Sequence, residues 1–186
     1  SVAGCVPEPT VVGSAGCVAW WWVGRGAMGL FKRAMERLGF AKVKSSIIVI
    51  GLQNSGKTSI ITTLHPDKGE AVPTVGFSVD KFSLHATKLT VMDMSGQSKY
   101  HSLWECYFKD VQGVVFVVDS ADPSQLPEAQ RVLLTTLEHE DLKGTPLLVF
   151  ANKMDLAHAM TKVDVAQKLQ LDSDTAITGR AWQMAA

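Results

Sequence analysis

Gly51-Leu52-Gln53-Asn54-Ser55-Gly56-Lys57-Thr58 has the spacing G-x-x-x-x-G-K-T. It follows the β-branched run Ile47-Ile48-Val49-Ile50 and precedes Ile60-Ile61-Thr62-Thr63-Leu64, a stretch suited to a helix. A phosphate-binding loop needs this strand–loop–helix setting before its spacing means anything. Glycine lets the backbone turn tightly, so the successive N–H groups from Gly51 through Ser55 and Gly56 point inward and form a nest for phosphate oxygens. The next helix adds its positive N-terminal end, with Ser59 in the first turn as a further contact. In such a loop Lys57 reaches the β- and γ-phosphates, and the Thr58 hydroxyl ligates Mg²⁺. A bare Gly/Ser turn is the plainer reading, and the flanks argue against it.

The totals set bounds around this loop. A chain of 186 residues suits one domain with a short appendage. A content of 46% hydrophobic and 19% charged residues describes a globular protein with a core. Eighteen basic residues balance eighteen acidic ones, so charge offers no argument for nucleic acid as a partner. Cys5, Cys17 and Cys106 are odd in number and lack C-x-x-C spacing, which points away from a disulfide framework or zinc site and toward a reducing, cytoplasmic setting. No apolar run reaches the roughly 18 residues that would span a bilayer.

Residues 1–27 differ in character from the rest of the chain. They are rich in Gly, Val, Pro and Ala, carry Trp20-Trp21-Trp22, and show neither helical nor strand period. They lack the basic start and long apolar stretch of a signal peptide. The expectation is a disordered or non-native extension, with Met28 as the natural start. A Trp-rich membrane-interface anchor is the alternative. From Met28 to Lys44 the pattern changes: Leu30, Phe31, Ala34, Met35 and Leu38 share one helical face, and Lys32, Arg33, Glu36 and Arg37 the other. A basic amphipathic helix of this kind lies in a membrane interface or packs its apolar stripe on the domain. Gly29 has Arg33 where a myristoylation pattern wants Ser or Thr, so no acylation is expected.

Downstream, each motif sits just after an expected strand. The first strand is expected over Ile47–Gly51, and the helix after the phosphate loop is expected to run to about Leu64. Residues 65–72 form a polar loop, and Pro73-Thr74-Val75-Gly76 leads into the alternating strand Phe77–Phe82. Thr74 is a candidate for a second hydroxyl on Mg²⁺. Leu89-Thr90-Val91-Met92-Asp93 is a strand ending in Asp93-Met94-Ser95-Gly96-Gln97. Asp93 can hold Mg²⁺ through water, Gly96 can present its N–H to a γ-phosphate, and Gln97 can orient the attacking water. Tyr100, Leu103, Trp104, Tyr107 and Phe108 make an aromatic stripe at helical spacing, divided between core and a partner surface. Cys106 reads as a small buried residue, and His65 and His85 as solvent-facing. Val111–Asp119 is nearly continuous and apolar, as in a central parallel strand. After a helix over Leu126–Leu137, the strand Thr145–Phe150 delivers Asn152-Lys153-Met154-Asp155. A carboxylate at Asp155 can accept both N1–H and N2–H of guanine, which adenine cannot offer. Asn152 can reach the N7 side of the base, and the Lys153 stem can lie along its ring. Alternating strands and helices imply an α/β fold, a mostly parallel sheet flanked by helices with ligands at its carboxyl edge.

Taken together, Gly51–Thr58, Pro73-Thr74, Asp93–Gln97 and Asn152–Asp155 resemble the first four guanine-nucleotide boxes of a Ras-superfamily small GTPase. Pro73-Thr74-Val75-Gly76-Phe77 and Gly96-Gln97 followed by Leu103-Trp104 resemble the ADP-ribosylation factor (Arf/Arl) family, over Met28 to about Gln183. Its most similar branch recruits a coat complex to ciliary membranes. The resemblance implies the P-loop NTPase small-GTPase fold, GTP/GDP and Mg²⁺ as ligand and cofactor, and slow GTP hydrolysis. It also implies a BBSome-like effector or coat, an exchange factor and a GTPase-activating protein as partners. The Met28–Lys44 helix would then be displaced to a membrane surface on GTP binding, and the chain would be a cytoplasmic, peripheral membrane protein at the cilium or basal body. Gln53 departs from relatives that carry Asp or Gly there, and would crowd the γ-phosphate.

Relatives also carry a fifth box after the sixth strand and then a final helix, whereas Ala181–Ala186 ends within what should be that strand. The expectation is a truncated domain with its last strand incomplete and final helix missing. Losing roughly several hundred Å² of burial at about 25 cal/mol per Å² costs on the order of 10 kcal/mol. A truncated isoform or gene-model fragment with impaired nucleotide binding is therefore the competing reading. A P-loop kinase or ATPase is disfavoured by Asn152-Lys153-x-Asp155.

Overall fold

The computed structural model describes residues 44–65, 74–84, 87–175, 177 and 179–186. The 1–27 extension, the expected helix up to residue 43, Pro73 and His85 lie outside them. Among the described residues there are six strands and three α-helices: β1 (Lys44–Ile50), α1 (Lys57–Leu64), β2 (Phe77–Leu84), β3 (Thr87–Met94), β4 (Gly113–Asp119), α2 (Leu126–Leu137), β5 (Leu147–Asn152), α3 (Lys162–Lys168) and β6 (Trp182–Ala185). The strand order is β2-β3-β1-β4-β5-β6. Only β2 runs antiparallel, paired with β3 from Phe77↔Met94 to Leu84↔Thr87. Every other pairing is parallel, as strands joined through helical crossovers require.

The near-continuous apolar runs reflect burial on both faces. Side chains alternate along each strand, so Ile48, Ile50, Val114, Phe116, Val118, Leu147 and Val149 face one way. They pack against Leu126, Ala129, Leu133 and Leu137 of α2, Val165 of α3, and Trp104 and Phe108. Ile47, Val49, Leu89, Val91, Val115, Val117, Leu148 and Phe150 face the other way, where Ile61 and Leu64 of α1 join them. This packing fixes the carboxyl ends of β1, β3, β4 and β5 on one edge, and the loops that carry the motifs leave from there.

Three expectations shift. β1 begins at Lys44, taking in the last residue of the segment expected to be helical, because Lys44, Ser45 and Ser46 pair with Lys88, Leu89 and Thr90. The aromatic stripe lies on two 3₁₀ turns, Ser98–Leu103 and Glu105–Asp110, that meet at Trp104. Trp104 and Phe108 are buried while Leu103 is exposed, so the stripe divides between core and surface. Cys106 is an exposed free thiol, contrary to the buried reading, because the 3₁₀ turn directs Trp104 and Phe108 inward and leaves the residue between them outside.

Phe116 lies fully closed to solvent in the middle of β4. Phe116→Ala should lower unfolding free energy by about 3–5 kcal/mol. Urea denaturation checks this through a lower midpoint at unchanged slope.

Candidate functional site

The loop after β1 is shaped by close backbone approaches. Gly51 has φ 141°, and a Cβ there would lie 2.3 Å from the Val117 carbonyl oxygen of the neighbouring strand. Gly56 has φ 90°, and a Cβ there would lie 2.1 Å from Asn152 Nδ2. Asn54 takes the left-handed conformation at φ 63°, which Asn tolerates better than most residues. The Lys57 ammonium folds back under the loop and donates to the carbonyls of Gly51 at 3.1 Å and Leu52 at 2.7 Å. Burial pushes its pKa down to about 8, against the pull of the nearby Asp93 carboxylate. No side chain caps α1 at Gly56, so the first N–H groups of the helix are open to a ligand.

Thr58, Thr74 and Asp93 come from α1, the segment before β2, and β3, and their oxygens meet. Thr58 Oγ1 donates to Asp93 Oδ2 at 2.8 Å, and Thr74 Oγ1 donates to the same oxygen at 3.2 Å. The two hydroxyls are 3.0 Å apart. Asp93 is fully closed to solvent. Adjacent ligands of an octahedral ion with bonds of 2.0–2.1 Å lie about 2.9 Å apart, so the two hydroxyls have the spacing that Mg²⁺ takes from direct oxygen ligands, with the carboxylate behind them placed for contact through water.

Gly96 and Gln97 complete the far wall. A Cβ at Gly96 would lie 2.4 Å from the Leu52 carbonyl carbon and 2.5 Å from the Gln53 nitrogen, so only glycine lets this segment lie against the phosphate loop. Gln53, Asn54, Gly56, Lys57, Thr58 and Ser59 line one open cleft of about 270 Å³ with Thr74, Ser95, Gly96 and Gln97. Gln53 is exposed at its mouth.

At the other end of the loop, Asn152 Nδ2 donates to the Ser55 carbonyl at 2.8 Å and ties the turn after β5 to the phosphate loop. Lys153 stands at φ 61° with its ammonium 2.6 Å from Asp119 Oδ2. Asp155 is exposed on the same turn. The sequence-derived site residues within the described region thus lie at one carboxyl edge, with Asp155 at its rim.

Sequence reading missed Asp119, which ends the apolar run of β4 and pairs in register with Asn152. Its signal was present: an Asp closing a buried strand, as Asp93 does. Two aromatic side chains that hold the Ser95–Gln97 segment were missed as well. Trp104 Nε1 donates to the Ser95 carbonyl at 3.2 Å, and His101 Nε2 lies 3.3 Å from the Gly96 carbonyl. No spacing rule marks such contacts.

The ADP-ribosylation factor family model matches residues 31–186. ADP-ribosylation factor-like protein 6 of Danio rerio is 44% identical over 164 residues, covering 86% of this chain and 87% of that protein. The Caenorhabditis elegans protein of the same name is 40% identical over 150 residues, covering 78% and 79%. Among solved structures, the Arl6 BBS3 small GTPase from Trypanosoma brucei with bound nucleotide analogue GppNp is similar, with a TM-score of 0.69 at 36% identity. That likeness covers 76% of this chain and 84% of the other.

Gly96→Ala should destabilise the protein by about 1–3 kcal/mol, because backbone atoms of Leu52 and Gln53 cannot rotate away from the added methyl. Gly144, also in a turn, has φ 71° and nothing within 4 Å of an added Cβ. Gly144→Ala should therefore show only the left-handed backbone cost of roughly 1–2 kcal/mol, with no steric term. Paired urea titrations of the two variants, read with their nucleotide retention, separate the effects: only Gly96→Ala should disturb the cleft.

Proposed function

The chain belongs to the ADP-ribosylation factor family, and from that premise we propose that it is a guanine-nucleotide switch that hydrolyses GTP slowly with Mg²⁺. The observation that carries this reading is the meeting of Thr58, Thr74 and Asp93 oxygens at the mouth of the phosphate loop. Thr58 and Thr74 would hold Mg²⁺ directly, with Asp93 acting through water. When bound, the ion neutralises charge on the β- and γ-phosphate oxygens.

The chain's own groups do the rest. The N–H groups of Gly51–Ser59 cradle phosphate. Lys57, half neutralised by burial near pH 8, regains its full charge when phosphate oxygens approach. Gly96 offers its N–H to the terminal phosphate, and Gln97 orients the attacking water. Gln53 crowds that end of the cleft and slows the reaction. Asp155 accepts N1–H and N2–H of guanine, Asn152 serves the N7 side, and Asp119 steadies the Lys153 stem along the ring.

Membrane and partner roles belong to the same proposal. Val75, Phe77 and Val79 expose apolar side chains from one face of the β2 segment, with Leu103 exposed as well. The Phe77 ring meets Tyr107 at 4.7 Å between centroids. An exposed apolar stripe next to the nucleotide cleft suits an effector or BBSome-like coat that reads the GTP state. The basic amphipathic segment 28–44 suits a membrane surface in vesicular or ciliary trafficking. No helix among the described residues is long and apolar enough to cross a membrane. An exchange factor and a GTPase-activating protein would set the state of the switch.

The direct test is the nucleotide content of the purified chain, released by denaturation and separated by ion exchange. Near-stoichiometric GDP or GTP is the expected result. Empty protein, or bound GDP displaced by ATP, would overturn the guanine reading. Vesicle flotation should be greater with a GTP analogue than with GDP. Equal flotation in both states would remove the membrane switch.

A further inference from the structure

His101 sits half-buried on the 3₁₀ turn Ser98–Leu103, one turn beyond Gln97. Its Nε2 lies 3.3 Å from the Gly96 carbonyl oxygen. A carbonyl can only accept, so Nε2 carries the proton and the imidazole donates. Burial holds its pKa below the usual imidazole value, against the opposing pull of the bond to Gly96, and the ring is neutral at pH 7. The ring also packs on Trp104, with centroids 4.3 Å apart and planes inclined by 41°.

Trp104 is itself fixed. Its side chain is buried, and its Nε1–H donates to the Ser95 carbonyl at 3.2 Å. Two neighbouring rings therefore hold two successive carbonyls, those of Ser95 and Gly96. The Ser95 N–H donates to the Gly76 carbonyl at 2.9 Å, which fixes the other side of the same residue. The Gly96 carbonyl belongs to the peptide unit whose nitrogen is that of Gln97. A peptide is planar, so holding its oxygen fixes the direction of its N–H and the starting point of the Gln97 side chain.

We propose that His101 is a positioning residue for GTP hydrolysis, holding the Gly96–Gln97 peptide so that Gln97 meets the attacking water. This rests on the reading of the cleft as a GTP-hydrolysing site. His101 does not line the cleft and acts through Gly96 and Gln97. Its loss leaves phosphate and base recognition in place and affects the chemical step, since a small misplacement of a catalytic group is costly in rate.

The experiment is single-turnover hydrolysis by the full chain loaded with Mg²⁺ and GTP, alongside GDP dissociation. His101→Phe keeps a ring on Trp104 and removes the donor. His101→Gln restores an N–H the same number of bonds from the backbone. His101→Phe should hydrolyse roughly tenfold more slowly, with GDP dissociation unchanged within about twofold. His101→Gln should return to within about threefold of the parent. Parental rates in His101→Phe would overturn the proposal, as would His101→Gln remaining as slow as His101→Phe. GDP release accelerating in step with the loss of hydrolysis would also overturn it, assigning the ring to packing alone. A parent chain that binds GTP without hydrolysing it, or binds none, would overturn the underlying reading instead, and this inference with it.

Discussion

A carboxylate fully closed to solvent, that of Asp93, is the constraint around which this edge of the molecule is arranged. Removing a charge from water costs several kcal/mol unless donors replace the water. The chain supplies hydroxyls from two distant segments, Thr58 at the start of α1 and Thr74 before β2, both on Oδ2. The three segments are thereby drawn to one point. The same economy appears at Lys57, whose buried ammonium rests on two loop carbonyls. The Asp93 carboxylate in turn acts on the Lys57 ammonium, opposing the effect of burial on its pKa.

Legibility in the sequence followed the range of the interactions. The phosphate loop, Asp93–Gln97 and Asn152–Asp155 are local patterns, each read from a few residues and a preceding strand, and the six-stranded sheet places them on one edge. The parallel core was equally legible, because strands buried on both faces leave unbroken apolar runs such as Gly113–Asp119. Contacts between distant side chains left no such mark. Asp119 with Lys153 and Asn152 with the Ser55 carbonyl depend on how separate loops meet, and Trp104 and His101 with the Ser95 and Gly96 carbonyls depend on how one segment turns back on itself.

The misread local features have physical reasons too. Positions 100, 103, 104, 107 and 108 share one face at 3.6 residues per turn but spread over about two thirds of the circumference at three, so the spacing favoured one helix over the two 3₁₀ turns that form. The Trp104 N–H to His101 carbonyl bond at 3.0 Å belongs to the tighter form. Cys106 stands away from Trp104 and Phe108 at either period, so its exposure was legible in the stripe itself. At the start of β1, Ser45 and Ser46 lack the apolar signature of a strand. Their pairing with Leu89 and Thr90 comes from the neighbouring strand, whose length decides where β1 begins.

The junction between cleft and surface follows from the same geometry. Thr74 shares Asp93 with Thr58, and two residues later the Gly76 carbonyl accepts the Ser95 N–H at 2.9 Å. Gly76 has φ 74°, a turn that sets the direction in which β2 leaves the site. Phe77 then pairs with Met94, and the exposed side chains of Val75, Phe77 and Val79 lie along this entry. A strand advances about 3.3 Å per residue, so the stripe begins within one residue of the oxygen triangle. A backbone shift of Thr74 relative to Asp93 would carry Val75 and the entry of β2 with it, and the Gly76–Ser95 bond ties that entry to the segment of Gly96 and Gln97. The cleft and the apolar surface are thus neighbours along a few backbone atoms, with no longer route through the core between them.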